Sequence, residues 1–357
     1  MSSALTFVTV VFETETHLLE LQARSMSLHL DAEEVDEILV LDNCVLGMGE
    51  WTRRRLLRAY GRLQGRVRIV RTTAVIDPRA AGGWRSQQAA KLAIASQVKT
   101  PHYVVLDAKN HFTRATSATE FVGPDSRAHG HPHSYESHPL RASLVTTLQY
   151  VHAEPDVIAR AVKSFPPTAT PFVFDTAAVR ALILDLEERS GLPFGEEFER
   201  HKLLEFFLYA AWNETRGRGL RKLRDEVPIP SPTVWPKAAS EEGVRSAIDE
   251  HARDGAAVFA VHRQALAKAD AAALELIAIQ WVSFGLFTDT PAAQAFIRRF
   301  RRRYLPSLVW VRGVERARRS LQLWRARSAS EEPADPVQGN RAPSRTSPDA
   351  RPETSAI

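Results

Sequence analysis

Residues 82–114 read GGWRSQQAAKLAIASQVKTPHYVVLDAKNHFTR, and they carry the clearest fold signal in the chain. After the two glycines, the spacing of apolar residues predicts a helix that continues to about Val98. The short apolar run Tyr103–Leu106 predicts a buried strand, which Asp107 ends. A helix followed at once by a buried strand is the repeating unit of a parallel α/β sheet.

The residues on either side repeat this alternation. Upstream, apolar runs predict strands at 5–12, 37–41 and 67–70, with helices at 17–30 and 51–63. Downstream, the pattern predicts further elements, namely strands at 171–174 and 256–261, a helix ending near residue 189 and another at 198–212. We therefore predict an α/β fold with a mainly parallel, doubly wound central sheet flanked by helices.

Polar residues follow two of the predicted strands directly. Asp42 and Asn43 come after the second strand, and Asp107 comes after the fourth. Sheets of this kind bind ligands beyond the carboxyl ends of their strands. We therefore expect a binding site at this edge of the sheet.

The composition is that of a globular protein, with 44% hydrophobic and 25% charged residues in 357. The single cysteine, Cys44, excludes an internal disulfide and a Cys-rich zinc site. Residues 2–11 lack the basic start of a secretory signal. The apolar stretch 271–287 contains Glu275 and Gln280 and is short for a bilayer span, so we expect a buried helix there. We also expect a cytoplasmic protein.

Positive charge is concentrated near the C-terminus. The net charge is +5, and eleven arginines lie between Arg298 and Arg327 against one acid, Glu315. Because aromatic residues lie among the arginines, residues 296–327 are a candidate for peripheral contact with the anionic inner face of a membrane. The alternative is a solvated helix whose aromatic face packs on the main domain. Nucleic acid is not expected as a partner, although such charge also attracts it.

Composition and periodicity divide the chain into three parts. Residues 1–265 form the predicted α/β domain, and residues 266–327 form a basic helical extension. Residues 328–357 are rich in Ser, Pro, Ala, Arg and Glu and lack periodic apolar residues, so we expect a disordered tail.

The predicted helix and strand around residues 84–108 also carry a motif. It reads Trp-x-x-Gln-Gln-x-x-Lys-Leu over residues 84–92, and the strand ends in Leu-Asp-Ala at 106–108. This pattern resembles a bacterial family of glycosyltransferase-like proteins with the GT-A fold of nucleotide-sugar glycosyltransferases. The resemblance covers roughly residues 5–265 and takes in the first strand and residues 41–43, 205–209 and 261–262. It implies a GT-A-like, Rossmann-related sheet with a C-terminal helical extension.

The resemblance implies a glycosyltransferase of the hexosyl type. Such an enzyme moves a sugar from a nucleotide-diphosphate donor to a polysaccharide or lipid-linked acceptor. The implied donor-binding residues are Asp42, Asn43, Trp84, Arg85, Gln88, Lys91 and Lys109. Three of these follow one another at intervals of three residues on one helix, which predicts a broad shared face. A solvated basic helix surface, and ordinary turn chemistry at residues 42–43, are the alternatives.

GT-A enzymes carry an Asp-x-Asp motif at this strand end, where Mg²⁺ or Mn²⁺ neutralises the departing diphosphate. Asp107 takes the first position of that motif, but Lys109 takes the second. In one hypothesis Asp107 holds the cation with Asn110 or His111 and with His262. In the other, Lys109 itself supplies positive charge to the phosphates. A plain strand-to-loop turn at Asp107 is the third possibility.

Glu205 lies in an otherwise apolar stretch, LLEFFLYAAW. A carboxylate there is costly to bury unless it is paired or faces a cleft, and its pKa can rise. An inverting transferase needs a base that takes the proton of the acceptor hydroxyl, and Glu205 is the candidate for this base. Asp107, at the predicted diphosphate site, is the second predicted catalytic residue. Glu196 and Glu197 are alternatives for the base, and a helix-surface glutamate is the structural alternative.

The polar segment 121–139 contains His129, His131, His133 and His138. Their spacing matches no standard zinc motif. We expect an acceptor-side loop that becomes ordered on binding.

Two other functions fit the same residues. One is a nucleotidyl- or phosphotransferase on a similar sheet. The other is a catalytically degenerate protein that binds a partner or an anionic surface through its basic segment, and Lys109 favours it.

Overall fold

The structure is a computed structural model that describes residues 4–77 and 84–330. The chain divides into a unit that ends at Val311 and a second that begins at Arg312. In the second unit, the described residues 312–330 are helical. The first three residues of the predicted disordered tail, 328–330, are helical, contrary to the prediction, and the rest of the tail lies outside the described residues.

Two sheets are formed by eight described strands, which are β1 Leu5–Val11, β2 Val35–Asp42, β3 Val67–Arg71, β4 His102–Asp107, β5 Asn110–Phe112, β6 Phe172–Asp175, β7 Thr233–Val234 and β8 Val258–Val261. The larger sheet has the order β3-β2-β1-β4-β6. Its first four members are parallel, and β6 runs antiparallel to β4. The smaller sheet has the order β5-β8-β7, with β8 antiparallel to β5 and parallel to β7. The predicted mainly parallel central sheet is confirmed.

Helices flank these sheets. Those in the described residues are α1 Thr16–His29, α2 Glu50–Ala59, α3 Trp84–Ala93, α4 Arg141–Tyr150, α5 Pro155–Lys163, α6 Thr176–Ser190, α7 Phe194–Arg200, α8 Glu205–Thr215, α9 Leu220–Leu223, α10 Glu241–Asp254, α11 Arg263–Lys268, α12 Ala271–Ser283 and α13 Thr290–Ser330. None of them combines the length and the apolar character that crossing a membrane requires.

The single helix predicted at 198–212 is wrong, because the chain forms two helices there. The first, α7, ends before the turn, and α8 begins only at Glu205. Lys202 in the turn has a left-handed backbone with φ of 53°. The connecting residues Leu203 and Leu204 are buried, so the apolar pattern continues through the break and conceals it.

Strand β1 is buried on both faces, as its uninterrupted apolar sequence predicts. Phe7 and Val11 belong to one apolar cluster, whereas Val8 and Val10 belong to a second. Side chains of a strand alternate between the two faces of a sheet, so the clusters lie on opposite faces. The central sheet is therefore a middle layer with helices on both sides.

Part of the predicted basic extension packs into the first of these clusters. Trp281 of α12 and Phe296, Phe300 and Tyr304 of α13 are all buried there. The arginines that alternate with them, such as Arg299, are exposed. The aromatic face of this segment thus packs on the rest of the first unit. The domain boundaries at residues 265 and 327 stay predictions.

A buried glutamine ties α1 to the ends of β1 and β4. The side-chain oxygen of Gln22 accepts a hydrogen bond from the Thr9 hydroxyl at 2.8 Å. Its amide nitrogen donates to the backbone carbonyls of Asp107 and Asn110 at 2.7 and 3.0 Å. Gln22 is fully buried, so no water replaces these bonds when the amide is removed.

We expect Gln22→Leu to lower the free energy of unfolding by about 2–4 kcal/mol, because it leaves buried polar groups without partners. Urea denaturation measures the change. The matched control is Gln149→Leu, on the exposed side of α4, for which a change below about 0.5 kcal/mol is expected. Equal effects of the two substitutions would show that Gln22 does not tie these elements together.

Candidate functional site

A cleft of about 320 Å³ opens at the carboxyl ends of β1 and β4. Strands β1, β2 and β3 follow one another toward one edge of the sheet, whereas β4 lies on the other side of β1. The strand order therefore reverses between β1 and β4, and α/β sheets bind ligands at such a point. Residues of α3, α8 and α11 and the ends of both sheets form the walls.

Asp107, the last residue of β4, is held between two lysines. Its Oδ1 accepts a hydrogen bond from Lys91 Nζ at 3.2 Å. Its Oδ2 accepts hydrogen bonds from Lys109 Nζ and from the hydroxyl of Thr170, the latter at 3.1 Å. Burial alone would raise the pKa of this carboxyl, but Lys109 and Lys91 outweigh burial and hold its pKa well below the ordinary value.

Lys91 reaches the cleft from α3 and is shared by two carboxylates. Its ammonium group also donates to Glu205 Oε1 at 3.1 Å and lies 5.2 Å from the centroid of the Phe206 ring. Burial lowers the pKa of a lysine, but Asp107 and Glu205 more than compensate and raise the pKa of Lys91. Lys91 is therefore a cation throughout the neutral pH range.

Glu205 is the first residue of α8 and is only 3% exposed. Burial raises the pKa of its carboxyl, and Lys91 offsets part of that increase. The raised pKa that the apolar sequence around Glu205 predicts is therefore present in the structure. A carboxyl with a raised pKa on the wall of a cleft is suited to accept a proton.

The opposite wall consists of residues that follow the strands of the smaller sheet. Trp235 comes after β7, and Lys109 Nζ lies 5.5 Å from the centroid of its ring. His262 and Arg263 come after β8, and Arg263 forms an ion pair with Glu15. Burial, Arg263 and Lys109 lower the pKa of His262 to about 4, so its ring is neutral at pH 7.

Three of the predicted donor-binding residues line the cleft, namely Gln88, Lys91 and Lys109. Gln88 and Lys91 belong to α3, and Lys109 lies in the turn between β4 and β5. The side chain of Trp84, a fourth predicted residue, lies outside the described part of the chain.

The predicted common face of Arg85, Gln88 and Lys91 is not formed at the cleft. Arg85 instead lies with its Nη1 at 3.8 Å from a carboxylate oxygen of Glu199. Residues six apart on an α-helix are rotated by about 240°, so Arg85 and Lys91 point in different directions. Gln87 lines the cleft with Gln88 and Lys91 instead.

Asp42 and Asn43 stabilise a neighbouring loop and are not among the described residues that line the cleft. The Asp42 carboxylate is 1% exposed, accepts two backbone N–H groups at 3.0 and 2.7 Å and lies 3.1 Å from Arg71. Asn43 Oδ1 accepts a hydrogen bond from the Thr72 hydroxyl at 2.8 Å. These contacts are those expected of residues that stabilise a turn, which is the alternative to donor binding at these positions. A role of Asp42 and Asn43 in donor binding stays a prediction.

The predicted ligands of a divalent cation are engaged elsewhere. Both oxygens of Asp107 bind ammonium groups, and Asn110 and His111 are buried and hydrogen-bonded within the protein. His262 lines the cleft, but its Nδ1 accepts the backbone N–H of Gln264. Over residues 4–77 and 84–330, no three His, Cys, Asp or Glu side chains are grouped as metal ligands. This ligand set does not fit a divalent cation, because the lysines hold its central carboxylate.

The histidine-containing segment 121–139 is anchored in the structure, contrary to the loop expected to order on binding. The His129 ring hydrogen-bonds to the Asp225 carboxylate at 2.8 Å and to the Thr119 carbonyl at 3.1 Å. Tyr135 is fully buried. These contacts order the segment without a ligand, and its four histidines are absent from the described wall of the cleft.

The alternatives to Glu205 lie on α7. Glu197 accepts a hydrogen bond from the Tyr150 hydroxyl at 2.7 Å. Neither Glu196 nor Glu197 is among the described residues that line the cleft. The geometry therefore favours Glu205 over both.

The wall residues that were not predicted include Glu15, Gln87, Trp235 and Arg263. Gln87 had a usable signal, because it precedes Lys91 by four residues and therefore shares its helical face. Trp235 and Arg263 follow strands of two and four residues, which are too short for a clear alternation pattern. Glu15 pairs with a residue 248 positions away, which no local pattern reveals.

Fold and site together define an α/β protein with a charged cleft at the switch point of its central sheet. The chain belongs to DUF6492, a family of unknown function whose model matches residues 50–261. No curated protein matches the sequence.

Several solved structures are similar to the chain at low sequence identity. The galactosyltransferase LgtC, in complex with donor and acceptor sugar analogues, is 11% identical with a TM-score of 0.46 over 80% of this chain and 97% of that one. The bifunctional glycosyltransferase WbbM is 12% identical with a TM-score of 0.38 over 73% and 46%. Glucosyl-3-phosphoglycerate synthase from Mycobacterium tuberculosis is 16% identical with a TM-score of 0.31 over 54% and 66%. Similarity at these TM-scores supports no statement about activity.

We expect Lys91→Met to lower the free energy of unfolding by about 3–5 kcal/mol near neutral pH, because it leaves two carboxylates without their shared cation. Chemical denaturation measures the change. The difference in the free energy of unfolding between Lys91→Met and the unmodified protein should become smaller as the pH falls toward the raised pKa of Glu205. The native state then takes up the proton that neutralises this carboxyl.

Two further variants make this measurement specific. Adding Glu205→Gln to Lys91→Met should restore part of the lost stability, because one stranded charge is removed. Lys99→Met, at an exposed position shortly after α3, is the matched control. If Lys91→Met is as mild as Lys99→Met, the shared ammonium group does not hold the cleft together.

Proposed function

We propose that the protein is a glycosyltransferase that binds a nucleotide-sugar donor in this cleft. The observation that carries the proposal is the placement of two ammonium groups, those of Lys91 and Lys109, on one carboxylate at the switch point of the sheet. A nucleoside diphosphate needs such cations where water is scarce. The motif at residues 84–92 and 106–108, with its resemblance to GT-A transferases, supports the same donor.

In this proposal Asp107 holds the two lysines in position before the donor arrives. The cleft wall contains three basic residues, Lys91, Lys109 and Arg263, which are balanced by three acidic ones. A diphosphate carries more charge than one carboxylate and therefore competes with Asp107 for the lysines. When the sugar leaves, the same lysines stabilise the charge that develops on the diphosphate. In this proposal the two lysines take the role that Mg²⁺ or Mn²⁺ has in the cation hypothesis.

Glu205 is the proposed base of the transfer. The bond between the anomeric carbon and the donor phosphate oxygen breaks, and a new bond forms from that carbon to an acceptor hydroxyl. The hydroxyl proton passes to Glu205, whose raised pKa suits this task. The proposed acceptor is a polysaccharide or a lipid-linked saccharide. A cytoplasmic location and contact of residues 296–327 with a membrane stay predictions.

A thermal-shift panel tests donor binding. We expect UDP or GDP to raise the melting temperature in the presence of EDTA, with little further increase on adding Mn²⁺, because lysines supply the positive charge. Lys109→Ala should reduce the shift, and Lys99→Ala should leave it unchanged. The absence of a shift for every nucleotide, with or without Mn²⁺, would refute the donor site. A shift that appears only with Mn²⁺ would instead support a cation at Asp107.

Glu205→Gln tests the base. We expect turnover to fall by about 100-fold or more, with UDP affinity nearly unchanged. The rate of the unmodified enzyme should fall as the pH drops through the raised pKa of Glu205, since only the anion accepts a proton. UDP release from UDP-sugars with saccharide acceptors is the readout. Loss of UDP binding in this variant would make Glu205 a positioning residue for Lys91, and pyrophosphate release from a nucleoside triphosphate would indicate a nucleotidyltransferase.

A further inference from the structure

A second, smaller cavity of about 130 Å³ lies between the start of α1, the helix α2 and the helix α13. It shares no wall residue with the cleft. The residues that matter for its chemistry are Thr14, His17, Thr52, Arg55, Arg303 and Tyr304. Its volume is several times the roughly 30 Å³ that one water occupies in the liquid, so a tetrahedral oxyanion fits.

Positive charge converges on this cavity. Arg55 and Arg303 line it, and their guanidinium groups lie over the ring of Trp51, at 4.5 and 5.5 Å from its centroid. Burial and the charges of Arg55, Arg303 and Arg299 lower the pKa of His17 to about 3. The histidine is therefore neutral at pH 7, and the surrounding field favours an anion.

Carboxylates only partly balance these arginines. Glu20 pairs with Arg55 at 2.9 Å. Glu13 lies on the wall, but its carboxylate accepts the backbone N–H of Val45 at 2.5 Å. Among the described residues, Arg303 has no carboxylate at ion-pair distance. Its charge is therefore available to a ligand.

Two buried polar side chains on the same wall lack partners within the described structure. The hydroxyl of Thr14 and Nε2 of His17 form no hydrogen bond, although each residue is only 6% exposed. Buried polar atoms without partners are costly, so a ligand atom that bonds to them would be stabilising here. The first turn of α1 forms part of the wall, and no side chain caps this helix, so its positive end adds to the attraction for anions.

We propose that this cavity binds a phosphate group, free or as the head of a phosphate ester, between Arg55, Arg303 and the start of α1. Guanidinium groups bind phosphate oxygens in pairs, and the hydroxyl of Thr14 donates to a third oxygen. The site is independent of the sugar-donor cleft. Next to the cavity, Arg298, Arg299 and Arg302 border a groove together with Arg303. The proposal therefore gives a ligand class to one end of this group of arginines.

Isothermal titration with inorganic phosphate and with glycerol phosphate, against chloride at matched ionic strength, tests the proposal. We expect saturable binding that Arg303→Gln weakens about tenfold or more, the usual effect of losing a charge-assisted hydrogen bond. The matched control is Arg301→Gln, an exposed arginine two residues earlier that lines neither this cavity nor the groove. Thr14→Val should also weaken binding while the protein stays folded.

Vesicles of phosphatidylcholine with phosphatidic acid distinguish the source of the phosphate. If the unmodified protein and Arg301→Gln co-sediment with these vesicles and Arg303→Gln does not, the site binds a lipid headgroup. Binding of soluble phosphates without co-sedimentation would assign it to a free phosphate ester. The proposal is overturned if phosphate binds no better than chloride, or if Arg303→Gln and Arg301→Gln reduce binding equally.

Discussion

The ammonium group of Lys91 joins three elements of the structure. It comes from α3 and binds Asp107 at the end of β4 and Glu205 at the start of α8. Lys91 and Glu205 are buried, and each charge would be expensive to bury without the other. Lys109 and Lys91 keep Asp107 ionised, whereas burial raises the pKa of Glu205 and Lys91 offsets only part of that increase. Stability and proposed chemistry thus depend on one cation.

The sheets explain why these side chains meet. Parallel strands bring their carboxyl ends to one edge, and the reversal of strand order beside β1 leaves a gap there. The smaller sheet then adds Trp235 and Arg263 to the far wall of that gap. Gln22 fixes the backbone between β4 and β5. Lys109 lies in this segment, and its ammonium group forms an ion pair with Asp107.

Sequence patterns within one helix or strand predicted that element well, whereas contacts between distant elements could not be predicted from them. Apolar runs predicted β4 and the position of Asp107, and a lone carboxylate in an apolar stretch singled out Glu205. The sequence pattern could not show that Asp42, at an equivalent strand end, turns inward to bind a loop and Arg71. Nor could it show that Lys109 would pair with Asp107 in place of a second acid, because that depends on the path of the chain between two sheets.

The central claim is that the lysines at Asp107, with no divalent cation, receive the diphosphate of a nucleotide ligand. A crystal structure of the protein grown with UDP and Mn²⁺ tests this most directly. We expect phosphate oxygens within hydrogen-bond distance of the Nζ atoms of Lys91 and Lys109. A nucleotide bound elsewhere, or a Mn²⁺ ion coordinated by Asp107 with both lysines displaced, would contradict it.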